Sequence, residues 1–213
     1  MMVLHGASAS PFVRKVLAVL AIKQLPFEHI QQMPFVDDPE YRKISPLGKI
    51  PALQDGDLTL CDSKVICAYL EDAYPEHPVY PANTQDRARA RWYEELGGSK
   101  VTELAGGIFF QRFMKPMMLK QESDEALVES IVSDKLPPIL DYLESQVPAE
   151  GFLFDDFGVA DLALVVPFVN AGYAGYKIDP EHWPKFAAFA GRVTGHEVVV
   201  PLLEAEAKML GLS

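Results

Sequence analysis

Gly48-Lys49-Ile50-Pro51-Ala52-Leu53-Gln54-Asp55-Gly56-Asp57-Leu58-Thr59-Leu60-Cys61-Asp62-Ser63 is the stretch whose reading decides the fold. Asp55-Gly56 lies between two short apolar runs, Ala52-Leu53 and Leu58-Thr59-Leu60, and Asp-Gly in that setting is a strong hairpin signal. Pro51 suits the first position of a strand, where no ladder N–H is required. Past the hairpin, Asp62 and Ser63 open a helix predicted over 62–74, with Ile66, Tyr69, Leu70 and Ala73 on one face.

On the N-terminal side, Val3 to Gly6 reads as a short apolar strand that breaks into Ala7-Ser8-Ala9-Ser10. Ser10 is a good N-cap and Pro11 a good first helical residue. Phe12, Val16, Val19 and Leu20 then recur at helical spacing, so a helix is expected from Ser10 to near Lys23. Phe27 to Ile30 reads as a second strand. The residues from Met33 to Leu47 hold three prolines and mixed charge. They predict an irregular stretch with a short helix over 39–44. The order is strand-helix-strand, then strand-strand-helix: a small α/β sheet with parallel and antiparallel pairs and helices on its faces.

On the C-terminal side, Pro75 to Thr84 holds three more prolines and reads as a linker. Everything after it reads as helix, over 85–113, 125–146, 159–172, 184–195 and 200–210. Pro137-Pro138 must kink the second of these or start a new helix. The helix from Val159 is apolar nearly all round and is expected to be buried at the centre.

A chain of 213 residues fits one large domain or two small ones, and 49% hydrophobic against 23% charged residues is enough for a true core. The formal net charge of -11, from 30 acidic and 19 basic residues, argues against nucleic acid and against anionic membrane surfaces as partners. Arg87, Arg89 and Arg91 read as a solvated helix face. Cys61 and Cys67 are too few and too close for a disulfide framework, and their apolar surroundings predict buried free thiols in a reducing compartment. The N-terminal residues lack the basic and apolar regions of a signal peptide, and no run of about 18 apolar residues predicts a membrane span. A cytoplasmic protein is therefore expected. His5, His29, His77, His182 and His196 show no metal-ligand spacing, so no metal is expected. Gly6-Ala7-Ser8-Ala9-Ser10 lacks the last glycine of a G-x-S-x-G elbow.

Three features of the first part remain as candidates for chemistry. Ser10 places a hydroxyl at a helix N-terminus, where unpaired N–H groups and the positive dipole end would favour an anion such as a thiolate; the alternative is a plain N-cap. Ile50-Pro51 stands directly before a strand. If that bond is cis, the Ile50 backbone turns outward and an extended peptide could pair with it; the alternative is an ordinary trans strand start. Asp62-Ser63 either only caps its helix or also binds the charged end of a ligand.

Taken together and in this order, the motifs resemble those of the glutathione transferase superfamily across nearly the whole chain. They are Ser10-Pro11-Phe12-Val13-Arg14-Lys15-Val16, then Pro46-Leu47-Gly48-Lys49-Ile50-Pro51-Ala52-Leu53, then Leu58-Thr59-Leu60-Cys61-Asp62-Ser63, Tyr69-Leu70 and Tyr74-Pro75. Gly158-Val159-Ala160-Asp161-Leu162 resembles the family's Ser/Thr-x-Ala-Asp helix start. The resemblance implies a thioredoxin-like βαβ-ββα domain over 1–78 that binds glutathione, an all-helical domain over 85–213, and a homodimer. It implies that Ser10, with Ser8 as runner-up, hydrogen-bonds the glutathione sulfur. Lys49 would approach the glycine carboxylate, Ile50 before Pro51 would pair with the cysteinyl backbone, and Asp62 and Ser63 would hold the γ-glutamyl end. Phe110, Phe113, Met114 and Met117, at i, i+3, i+4 and i+7, could line a pocket for a hydrophobic electrophile with Phe12, or could be plain helix core.

Two departures from the family pattern matter. Gly158 replaces Ser or Thr, which weakens the cap and leaves Asp161 a structural role. Serine at position 10, where redox-type relatives carry cysteine, favours conjugation or isomerisation over disulfide exchange. The expected function is a detoxifying transferase that attacks a small electrophile with the glutathione thiolate. The alternatives are a glutathione-dependent isomerase or dehalogenase, and a non-catalytic binding protein.

Overall fold

The computed structural model describes residues 1–34 and 37–211. Phe35 and Val36, in the stretch expected to be irregular, and the last two residues of the expected helical domain lie outside the described residues. The chain divides into two compact units, Met1–Arg87 with His196–Ser213, and Ala88–Gly195.

The first unit begins with β1 (Met2–His5), α1 (Pro11–Ile22), β2 (Phe27–Ile30) and α2 (Pro39–Ile44). The hairpin β3 (Ala52–Asp55) and β4 (Leu58–Cys61) and then α3 (Ser63–Ala73) follow. The strand order is β2-β1-β3-β4. β1 runs parallel to β2 and antiparallel to β3, and β3 runs antiparallel to β4. This is the βαβ-ββα order expected from the sequence. Gly56, at φ 58°, supplies the turn that the Asp-Gly pair predicts. The register aligns Ile30, His5, Ala52 and Cys61 in one row across all four strands.

Helix α1 is buried on every side from Val13 to Leu20, which explains its near-continuous apolar run. That position puts Arg14 fully inside, where an unpaired charge would be costly. The partner is Glu206 on the terminal helix α10 (Val200–Leu210), also fully buried. Arg14 Nε donates to Glu206 Oε1 at 2.8 Å and Nη2 to Oε2 at 2.5 Å. The last helix of the expected 85–213 domain thus groups with the first unit. A second internal pair, Lys23 to Glu71 at 2.8 Å, fixes the end of α3. Lys23 Nζ also donates to the Tyr74 carbonyl at 2.9 Å, and Glu71 accepts the Val79 N–H at 3.0 Å.

The second unit takes up the body of α4 (Thr84–Leu96), whose first turn lies in the first unit. A π-helical stretch follows at Gly97–Val101, then α5 (Thr102–Phe109) and a longer π-helical stretch at Phe110–Leu119. Next come α6 (Glu125–Ser130), a π-helical turn at Ile131–Lys135, α7 (Pro137–Gln146), α8 (Val159–Tyr173) and α9 (Pro184–Thr194). The helix expected over 85–113 is therefore longer and interrupted. Pro116, which has no N–H to give, sits inside the second π stretch. Pro137 starts α7, the new-helix outcome for the proline pair.

Helix α8 is buried continuously from Val159 to Phe168, as its apolar character predicts. Each such Val or Leu contributes about 1.5–3 kcal/mol of transfer free energy. Its N-cap Gly158 has no side chain, so only half of a capping box forms: the Gly158 N–H donates to Asp161 Oδ2 at 2.9 Å. Gly97 lets its helix approach α8 closely, because a Cβ there would stand 2.2 Å from the Ala163 carbonyl oxygen. Neither backbone can yield cheaply. Gly97→Ala is expected to lower stability by about 1–3 kcal/mol, read as a lower urea midpoint. An unchanged midpoint would mean that the two helices are not in this close contact. Among the described residues, no helix is long and apolar enough to cross a membrane.

Candidate functional site

The row Ile30–His5–Ala52–Cys61 sets the position of the site. One residue beyond it, at the same edge of the sheet, stand Gln31, Gly6, Pro51 and Asp62. Four chain segments therefore leave the sheet side by side: the exit of β2, the β1–α1 loop, the approach to β3 and the start of α3. Gly6 permits the closest of these approaches. With φ 153°, a Cβ at this residue would meet Val13 Cγ2 at 2.5 Å and Ile50 Cβ at 3.4 Å. The candidate residues of the first unit are thus brought to one end of the sheet.

Ser10 is the N-cap of α1, in extended conformation at φ -73° and ψ 130°, yet its side chain makes no capping hydrogen bond. Its N–H donates to the Ala7 carbonyl at 2.9 Å and its carbonyl accepts the Arg14 N–H at 2.8 Å. The hydroxyl has no partner among the described residues. The N–H groups of Phe12 and Val13 have no intrahelical acceptor, so a free hydroxyl and a positive helix end coincide. The runner-up, Ser8, is differently placed. Its N–H donates to Gln31 Oε1 at 3.2 Å, and its Oγ accepts from Gln31 Nε2 at 3.0 Å.

The Ile50–Pro51 bond is cis. The Lys49 carbonyl accepts two hydroxyls, from Tyr41 at 2.8 Å and Ser45 at 2.8 Å. Burial pushes the Tyr41 hydroxyl up to about 12, so it stays a donor at any ordinary pH. These bonds fix the chain immediately before Ile50, whose own N–H and C=O have no partner among the described residues. The Lys49 side chain is exposed and forms no ion pair among the described residues.

Asp62 caps α3, its Oδ1 accepting the N–H groups of Lys64 at 2.8 Å and Val65 at 3.5 Å. The capping alternative therefore holds for one oxygen, while Oδ2 has no partner among the described residues. At φ 79° Asp62 occupies a conformation that L-residues rarely adopt, a cost of order 1–3 kcal/mol. Ser63 is 3% exposed and its hydroxyl makes no side-chain hydrogen bond. Among the described residues no buried side-chain oxygen lacks a partner, so that hydroxyl reaches solvent.

The apolar candidates divide between the units. Phe12 is half-buried on the first turn of α1 in the first unit. Phe110, Phe113, Met114 and Met117 lie in the π-helical stretch of the second unit. In this stretch i→i+5 bonding widens the turn, so positions three, four and seven apart do not stack in line as they would on an α-helix. Phe110 and Met117 are exposed, Met114 is half-buried, and Phe113 stacks on Phe109 at 4.9 Å. Cys67 is buried as expected, whereas Cys61 is half-buried and donates weakly to the Ile44 carbonyl at 3.5 Å.

Sequence reading missed Gln31, Tyr41 and Ser45. A lone Gln after a strand carries no pattern. Tyr41 lies on α2 and Ser45 caps its end four residues on, a spacing that hints at a shared partner.

Residues 4–78 match the family model of the glutathione S-transferase N-terminal domain. A glutathione S-transferase of Triticum aestivum is 41% identical over 183 residues, covering 85% of this chain and 83% of the relative. A crystal structure of a glutathione S-transferase from Rhodospirillum rubrum superposes with a TM-score of 0.84 at 23% identity, covering 95% of this chain and 91% of that one. A structure of glutathione S-transferase I bound with lactoylglutathione superposes with a TM-score of 0.82 at 24% identity, covering 95% and 98%. The sheet order, the sequence match and the shared fold agree, and the chain belongs to the glutathione S-transferase family.

Proposed function

We propose that this glutathione transferase activates the glutathione thiol as a thiolate at Ser10 and adds it to a small hydrophobic electrophile. The observation that carries the reading is the contrast between two serines: the Ser10 hydroxyl has no partner at the start of α1, while that of Ser8 is taken up by Gln31. A free thiol has a pKa of about 8.5, and lowering it by about two units needs roughly 2.7 kcal/mol of preference for the anion. One hydroxyl donor and a helix N-terminus supply contributions of that order.

The rest of the tripeptide has partners of matching chemistry. The unpaired backbone of Ile50 suits an antiparallel pairing with the cysteinyl unit, next to Pro51. The Lys49 ammonium suits the glycine carboxylate. Ser63, through its hydroxyl and its own N–H, suits the γ-glutamyl carboxylate, and Asp62 Oδ2 suits its ammonium. Phe12, half-buried on the first turn of α1, is the apolar side chain of the first unit that we assign to the electrophile. The enzyme acts as a homodimer in the cytoplasm, in a detoxifying role, and uses no metal. The thiolate attacks the electrophilic carbon, the sulfur–carbon bond forms, and the leaving group departs with its electron pair.

The test is conjugation of glutathione with an activated aryl chloride, run on wild type and Ser10→Ala. We expect a loss of about 10- to 100-fold in kcat/KM, the range set by a thiol pKa raised one to two units, with retention on glutathione resin unchanged. An undiminished rate would remove Ser10 from the reaction.

A further inference from the structure

We propose that Gln31, at the exit of β2, is a positioning residue that decides which of two serines meets the sulfur. This rests on the assignment of Ser10 to the thiolate. Ser8 and Ser10 are separated only by Ala9, and both follow β1 at the edge where the ligand is expected. Either hydroxyl could serve a sulfur anion if it were free. Gln31 removes Ser8 from contention by a reciprocal pair of bonds, Ser8 N–H to Oε1 at 3.2 Å and Nε2–H to Ser8 Oγ at 3.0 Å. With its lone pair engaged, the Ser8 hydroxyl turns its proton to Met209 Sδ of α10 at 3.9 Å.

The same end of β2 grips the loop at a second point. The Gly6 N–H donates to the Ile30 carbonyl at 3.0 Å, and His29 Nε2 bonds the Gly6 carbonyl at 2.8 Å. Residues 29 to 31 thus hold residues 6 and 8, extending the parallel β1–β2 register past the last paired residues, His5 and Ile30. On the other flank, Arg14 Nη2 donates to the Ala9 carbonyl at 3.4 Å. Ser10 is fixed between the Gln31 grip and the first turn of α1. Its hydroxyl is the one left without a partner, while Gln31 acts on the loop through Ser8.

The experiment is a double-mutant comparison in the full-length enzyme: wild type, Gln31→Ala, Ser10→Ala and Gln31→Ala/Ser10→Ala. Each is assayed for kcat and KM with glutathione and an activated aryl chloride across pH. Gln31→Ala is expected to lower kcat about 3- to 10-fold and to move the apparent thiol pKa up by about half a unit to one unit, with KM for glutathione within about twofold. The decisive readout is coupling. Once released, Ser8 competes for the sulfur, so Ser10→Ala should cost less than about 5-fold in the Gln31→Ala background, against about 10- to 100-fold alone. Gln31→Glu, which can accept from both the N–H and the hydroxyl of Ser8, should restore the full Ser10→Ala effect. If the Ser10→Ala loss is the same in both backgrounds, or Gln31→Ala leaves the pH profile unchanged, Gln31 has no positioning role although Ser10 keeps its own. If Ser10→Ala alone has no effect, the Ser10 assignment itself falls and this inference falls with it.

Discussion

Glu206→Ala is expected to destabilise the protein by about 3–5 kcal/mol, the cost of leaving one partner of a buried ion pair uncompensated. Arg14 and Glu206 are both fully buried and share two hydrogen bonds across 192 positions of sequence. Removing the carboxylate strands a guanidinium that cannot lose its proton. Replacing both residues with apolar ones of similar volume, Arg14→Met with Glu206→Leu, should recover most of the loss, because each desolvation penalty goes with its charge. Urea unfolding of the single and double variants measures this directly. A Glu206→Ala variant within about 1 kcal/mol of wild type would show that the pair is solvated in solution. Arg14 also holds the Ala9 carbonyl, so the single variant should lose activity before it loses its fold.

Asp161→Ala is expected to cost about 2–6 kcal/mol. Asp161 is 1% exposed, and its two carboxylate oxygens accept the N–H groups of Leu153 and Gly158, each at 2.9 Å. Deleting it orphans two backbone donors next to the most buried helix, at about 1–3 kcal/mol each. The pH dependence has a definite sign. Burial outweighs these hydrogen bonds and pushes the Asp161 carboxyl from 3.8 up to about 6. With the folded value above the unfolded one, its favourable contribution is complete below pH 3.8 and is lost as pH rises through about 6. The gap corresponds to about 3 kcal/mol. Wild type should therefore lose stability between pH 4 and pH 7 relative to Asp161→Asn, whose neutral amide does not titrate. Parallel stability curves for the two proteins over that interval would contradict the assignment.

The first-unit fold was legible because its signals are local. Asp55-Gly56 needs only its own turn, and Ser10-Pro11 needs only the first turn of α1. The longer features were not legible. The π-helical stretches are one such feature: Pro116 lies within a run whose spacing otherwise reads as α-helix, and the spacing does not show the change of turn. The grouping of α10 with the first unit goes with the buried Arg14–Glu206 pair, a contact across 192 positions that no local signal carries. At the candidate site, Ser10, Lys49, Ile50, Asp62 and Ser63 are legible only as residue types at turns and helix starts. What their spacing could not carry is occupancy. That Ser8 is engaged and Ser10 is not follows from Gln31, a residue with no motif of its own.

The most direct test of thiolate stabilisation at Ser10 is titration of enzyme-bound glutathione by the ultraviolet absorbance of its thiolate, in wild type and Ser10→Ala. The account predicts an apparent pKa about two units below the free value of about 8.5 in wild type, returning most of the way in the variant. An apparent pKa that is the same in both proteins, with glutathione bound in both, would contradict it.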